Sequence, residues 1–297
     1  MCEENKYIRF DWAIKNILRD KANFAVLEGF ISVLLGEKIK IDEIIESEGN
    51  QANATDKFNR VDIKAKNSKG HIIIIEVQLS RQFYYFQRLL YGVSKAVTEN
   101  IKLGQSYESV PKVYSISILY CEMGKGEDYL YKGKTVFTGV NKHDQLQITV
   151  KEEDMIKSIY PEDYMPEYFL LRVNNFDKIP MTAIEEWMDY LKTGKIKEDT
   201  TTPGLNEARE KLQYLNMSDE ERRAYDRHID SIMVENDTFF TARAEGRAEG
   251  RAEGRAEGRE EEKVKIIRSM YNKGLAIEMI AEIAETSVDD VNCILNG

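Results

Sequence analysis

Asp62, Glu76 and Gln78 are the residues whose types and spacing could do chemistry. They fall in the stretch RVDIKAKNSKGHIIIIEVQ, residues 60–78, where four consecutive isoleucines run straight into Glu76. A strand repeats every two residues, so Glu76 and Gln78 project to one side, while Val77 faces away and leaves its carbonyl at the site. Two carboxylates and a main-chain carbonyl are hard oxygen ligands, suited to magnesium or manganese. A cation so held can generate hydroxide and neutralise charge on a phosphodiester being cleaved. The plainer alternative is a hairpin whose polar residues are merely solvated. Placement of Glu76 directly after Ile72, Ile73, Ile74 and Ile75 argues against it, because a buried, unpaired carboxylate is costly.

Positioning these groups requires a hairpin. FNRVDIKAK alternates, with Val61, Ile63 and Ala65 on one face and Asp62, Lys64 and Lys66 on the other, and NSKG supplies a turn before the second strand, HIIIIEVQL. That second strand is apolar on both faces, which predicts a place inside a sheet covered by helices. Upstream, Phe10, Ile14, Ile17 and Leu18, then Phe24, Leu27, Ile31, Leu34 and Leu35, recur at helical spacing, with Asp20 available as an N-cap and Gly36 as a stop. Residues 81–102 predict a helix with Phe83, Phe86, Leu90, Val93, Val97 and Ile101 on its apolar side and Gly104 beyond its end. VPKVYSISILY, LQITV and EYFLLRV read as further strands, so the order strand, helix, strand indicates an α/β core.

An acid followed by E-x-K after a hairpin is the signature of PD-(D/E)XK nucleases, and Asp62, Glu76 and Gln78 resemble it with glutamine in place of lysine. FDWAIKNIL, RVDI, IEVQ, RQFYYFQRLLYGVSKAV, VPKVYSISIL and the late EGREEE, in that order, resemble the recombination-promoting nuclease (Rpn) family, also described as PD-(D/E)XK nuclease family transposases. The resemblance implies a restriction-endonuclease-like fold, with a central mixed sheet flanked by helices and an α-helical C-terminal tail, and magnesium-dependent DNA cleavage. It implies Asp62, Glu76 and the Val77 carbonyl as metal ligands. Gln78 can orient the attacking water through its amide but lacks the charge of the motif's lysine. Many enzymes of this fold also place an acid on the opening helix, a position that Glu28 could fill.

Further along, Arg81, Arg88, Lys95 and Lys102 recur every seven residues, with Tyr85 between the first two on the same side. On one helix, at about 1.5 Å per residue, they would make a basic stripe roughly 30 Å long. It reads as a clamp on the DNA backbone or, equally, as the solvated face of an amphipathic helix. The boundaries expected are a nuclease-like domain over residues 1–180, a helical extension over 181–241, an RAEG repeat over 242–262 as linker or helix and a small helical segment over 263–297, with KEDTTTPG at 197–204 as a hinge. Glycine at every fourth position of the repeat costs about 1 kcal/mol each relative to alanine in a helix, which suits a pliable linker. The alternative is pairing of Arg and Glu stripes between two copies, a homo-oligomer formed through the tail. LAIEMIAEIAETSVDDVNCIL resembles a helix-turn-helix with Ser287 as a cap, but Asp289 and Asp290 would repel phosphate, which favours packing or self-association.

The 297-residue chain balances 42 Lys+Arg against 52 Asp+Glu, a formal charge of −10. That is the wrong sign for coating nucleic acid nonspecifically, so any DNA contact must be local. Cys2, Cys121 and Cys293 are scattered, without spacing for a disulfide framework or a zinc site, and His71, His143 and His228 are isolated. Neither a signal peptide nor a membrane span is apparent, so a cytoplasmic protein is expected. The expected function is metal-dependent DNA endonuclease in recombination or mobile-element movement. The rivals are a nuclease acting on RNA and a noncatalytic DNA-binding or scaffold protein that keeps the fold.

Overall fold

A computed structural model describes residues 7–16, 18, 20–45, 62–152 and 155–296. The hairpin forms as expected from Asp62 onward, with β2 over Ile63–Asn67 and β3 over Ile72–Gln78 paired antiparallel; Val61 lies outside the described residues. β1, Ile41–Ile45, adds to the outer edge of β2. On the other side β3 runs parallel to β4, Val113–Leu119, and β4 parallel to β8, Glu167–Arg172, with β5, Leu130–Lys134, closing that edge antiparallel. The result is a six-stranded mixed sheet in the order β1-β2-β3-β4-β8-β5. β3 and β4 are parallel neighbours, so the chain must cross over between them, and it does so through helix α3, Tyr85–Glu99. LQITV forms β6, Ile148–Glu152, which pairs with β7, Met155–Ile159, in a separate two-stranded sheet.

The isoleucine run is explained by burial of both faces of β3. Ile72 and Ile74 pack with Val113 of β4 and with Val93 and Ala96 of α3, while Ile73 and Ile75, pointing the other way, are buried as well. The opening helices are α1, Phe10–Asn16, and α2, Phe24–Leu35; Asp20 caps the short turn before α2, and Gly36 ends α2 in the left-handed region. Phe10, Phe30, Trp187 and Tyr190 form an aromatic cluster with ring centroids 5.1–6.3 Å apart. Trp187 and Tyr190 belong to α4, Ala183–Thr193.

The first compact unit extends to residue 226, beyond the boundary expected near 180. The reason lies in the segment expected as a hinge, which is packed. The Thr200 and Thr202 hydroxyls donate to Glu186 Oε2 at 2.5 and 2.6 Å, and Trp187 Nε1 donates to the Pro203 carbonyl at 3.1 Å. Gly204, with φ 83°, then meets Gly29 of α2 so closely that a Cβ on Gly29 would lie 2.3 Å from the Gly204 Cα. Helix α5, Leu205–Lys211, follows and contacts α2.

α4 begins with a capping box on Thr182. The Met181 and Thr182 amides donate to Glu185 Oε2 at 2.8 and 3.1 Å, and Lys178 pairs with its other oxygen. The Lys178 hydrogen bond, with those amides, holds the Glu185 carboxyl at about 2, below the ordinary 4.5. Its folded value is depressed, so its contribution is full above the unfolded value and is lost as pH falls from about 4.5 towards 2. Glu185→Gln is expected to cost about 1 kcal/mol at pH 7, the usual worth of a cap. Urea denaturation should show that gap closing by pH 2; an equal gap at both pH values would contradict the assignment.

The second unit, residues 227–297, is helical. The RAEG repeat lies within α6, Asp219–Asn272, as exposed helix, one of the two forms expected for it. Ile267, Ile280, Ala281 and Val291 form a small core with α7, Ile277–Ile283, and α8, Val288–Asn296. Ser287 caps α8 as expected, accepting from the Asp290 amide at 3.0 Å. Among the described residues, no helix is long and apolar enough to cross a membrane.

Candidate active site

The ladder places the three motif residues together. Extending the β2–β3 register by one residue from the Ile63 and Ile75 pair sets Asp62 opposite Glu76, and residues directly opposite in an antiparallel pair share a face. Gln78 lies on that face by the strand period, as does Ser117 of β4, which is in register with Glu76. The even residues of β3 carry the main-chain bonds to β4, as the Ile72 amide and the Gln78 carbonyl show. The parity of the ladder therefore turns the Val77 amide and carbonyl towards the β2 side. There Asp62 Oδ2 accepts from the Val77 amide at 2.5 Å, which fixes the carboxylate at the end of β3.

α3 covers this face, and its first turns close over the motif. Glu76 and Gln78 are only 5 and 6% exposed. Arg88 Nη2 donates to Glu76 Oε2 at 3.1 Å and to Gln78 Oε1 at 2.7 Å, while Nη1 donates to Gln82 Oε1 at 2.7 Å. Gln78 Nε2 donates to the Ser80 carbonyl at 2.7 Å. Burial raises the Glu76 carboxyl above its ordinary value, Arg88 opposes that shift, and the neighbouring Asp62 carboxylate adds to it. Burial also raises the Tyr85 phenol, with Glu76 contributing.

Several sequence expectations change here. α3 spans Tyr85–Glu99, so Arg81 and Lys102 lie outside it and no continuous stripe of four cations forms on one helix. Lys95 pairs with Glu99 at 3.7 Å, and Arg88 is engaged with the motif instead of standing ready for a phosphate. Tyr85 is fully buried against Leu89 and Leu119 and does not present its ring at the surface. The expected orientation holds for Val93 and Val97, which pack on the sheet, but not for the first turns: Tyr85 and Leu89 face the sheet there, while Phe86 and Leu90, and Phe83 ahead of the helix, are 53, 59 and 87% exposed. Glu28 is no part of the site. Its carboxylate accepts from the Ile41 amide at 2.7 Å, and Ile41 pairs with Asn67, at the hairpin end of β2 away from Asp62.

The residues fit a divalent cation. Asp62 and Glu76 bring two carboxylates to one face beside Arg88, and Glu76 Oε1 accepts no hydrogen bond from the described residues. No cluster of three His, Cys, Asp or Glu side chains gathers among the described residues, so the third ligand would be the Val77 carbonyl, a hard oxygen like the other two. Beside them, Arg88 Nε is buried without a hydrogen-bond partner among the described residues, while the buried Tyr85 hydroxyl and Ser117 Oγ have only each other. Buried polar atoms left unpaired are rare and mark places where water, an ion or a substrate completes the structure.

The sequence profile of the PD-(D/E)XK nuclease family transposases matches residues 8–236. No curated protein and no solved structure matches the chain significantly.

Proposed function

Because this chain belongs to the PD-(D/E)XK nuclease family transposases, we propose that it is a divalent-metal-dependent DNA endonuclease of the recombination-promoting type, acting in recombination or mobile-element movement. The single observation that carries the reading is the meeting of Asp62, Glu76 and Gln78 on one sheet face, with Glu76 buried and one of its oxygens accepting nothing from the described residues. Asp62 and Glu76 are the proposed ligands, with the Val77 carbonyl beside them. Magnesium or manganese, when bound there, supplies Lewis acidity and counter-charge for phosphodiester hydrolysis. Gln78 spends one lone pair on Arg88 and one N–H on Ser80, which leaves one of each to orient a water. α3 roofs the motif and restricts bulk water above Glu76, so charge within the site is screened less than at the surface.

Arg81 and Lys102 are the exposed cations of the proposed DNA contact. Arg81→Gln with Lys102→Gln is expected to flatten the plot of log affinity against log salt by nearly 2, since each phosphate contact contributes about 0.9. A slope unchanged from wild type, measured by fluorescence anisotropy, would remove both from the interface. The exposed Arg and Glu repeat of the second unit supports self-association of the tail as its proposed role.

Supercoiled plasmid and a folded RNA, incubated with the full chain in magnesium and in chelator, test the substrate. Nicking of plasmid in magnesium alone is expected. Cleavage confined to RNA would favour the ribonuclease reading, and cleavage of neither would favour a scaffold that keeps the fold.

A further inference from the structure

We propose that Arg88 supplies, from helix α3, the fixed positive charge that glutamine at position 78 removes from the E-x-K motif; the inference rests on the nuclease reading above. A lysine side chain carries its ammonium one bond beyond the position of a glutamine's terminal atoms. In this chain a cation stands at nearly that place, because Arg88 Nη2 lies 2.7 Å from Gln78 Oε1 and 3.1 Å from Glu76 Oε2. One nitrogen is thus shared by the two motif side chains. An arginine serving only to neutralise Glu76 would have no need of Gln78.

The guanidinium is held from three directions. Nη1 is anchored on Gln82 at 2.7 Å, and the Tyr85 ring lies 5.2 Å beneath the group. α3 itself is fixed by Tyr85 and Leu89 packed against Leu119. A group fixed in this way costs little reorganisation when charge develops nearby. It also differs from lysine in kind. Guanidinium does not give up its proton in proteins, so Arg88 contributes field and alignment and takes no part in proton transfer. It acts through its contacts with Glu76, Gln78 and Gln82, so it is a positioning residue. Glutamine at 78 and arginine at 88 make one unit: the amide oxygen is the acceptor that holds the relocated cation in place.

The test uses the full chain as wild type, Arg88→Gln, Arg88→Lys and the double variant Arg88→Gln with Gln78→Lys. Single-turnover plasmid nicking, Mn2+ calorimetry and thermal denaturation are measured on each. Arg88→Gln is expected to lower the single-turnover rate constant about 100-fold, the lower range for losing one preorganised donor, with the half-saturating concentration within threefold. Mn2+ binding should hold or tighten, because a repelling charge has gone while both carboxylates remain. The double variant should recover cleavage to within tenfold of wild type, and Arg88→Lys should fall between. A folded Arg88→Gln that cleaves like wild type overturns the proposal. So does a double variant as slow as Arg88→Gln with Mn2+ binding weakened in step, which would make Arg88 a prop for Glu76 alone. Wild type that neither binds Mn2+ nor cleaves would bring down the nuclease reading itself, and this inference with it.

Discussion

Asp62→Ala and Glu76→Ala are each expected to abolish metal-dependent cleavage, a loss of roughly a thousandfold or more, or about 4 kcal/mol of transition-state stabilisation. Each removes a carboxylate from a site where two acids and one backbone carbonyl are the proposed ligands, and no third acid stands near among the described residues to take over. Milder variants separate chemistry from folding. Asp62→Asn keeps an oxygen that can accept from the Val77 amide, now held at 2.5 Å, and Glu76→Gln keeps an acceptor for Arg88. Both should retain the wild-type melting profile and still fail to cleave. Near-wild-type nicking by any of the four, purified free of contaminating nuclease, would remove that residue from the site.

Gly204→Ala is expected to destabilise the first unit by about 3 kcal/mol. A left-handed backbone costs a non-glycine residue roughly 1–2 kcal/mol, and overpacking adds roughly 1–3. Gly204 has φ 83°, and a Cβ there would lie 2.7 Å from the Val26 carbonyl oxygen and 2.9 Å from the Gly29 Cα. These neighbours are backbone and cannot swing aside. Gly29→Ala meets the same contact from the other side, so the two substitutions should not add. A urea midpoint unchanged in Gly204→Ala would mean that residues 197–204 are held loosely, as a hinge, and that the segment is no structural part of the first unit.

The motif and its strand were legible because period and chemistry agreed: four isoleucines needed burial on both sides, and only a covered central strand provides it. β1, β5 and β7 escaped notice. IDEII and LYKGK are short and mixed in polarity, and they gain their strand character from neighbours in a sheet. The first turns of α3 present a face to the sheet that its large apolar residues do not mark. Phe83, Phe86 and Leu90 are large and apolar, yet the sheet takes the face bearing Tyr85, Leu89, Gly92, Val93 and Ala96. Reading that face as buried would also have moved Arg88, adjacent to Leu89, from the solvent side to the edge of the motif. The hinge reading failed at TTPG because Thr, Pro and Gly mark turns in sequence alone. Their packing depends on Glu186, Trp187 and Gly29, which only the folded chain brings to them.

Whether Asp62 and Glu76 hold the metal can be read by replacing magnesium with ferrous iron and adding ascorbate and peroxide, so that radicals cut the polypeptide beside the bound ion. Backbone cuts near residues 62 and 76–78 are expected in the full chain. Excess magnesium should suppress them, and Glu76→Gln should lack them. Cuts confined to another part of the chain, or cuts at these positions undiminished in Glu76→Gln, would contradict their role as ligands.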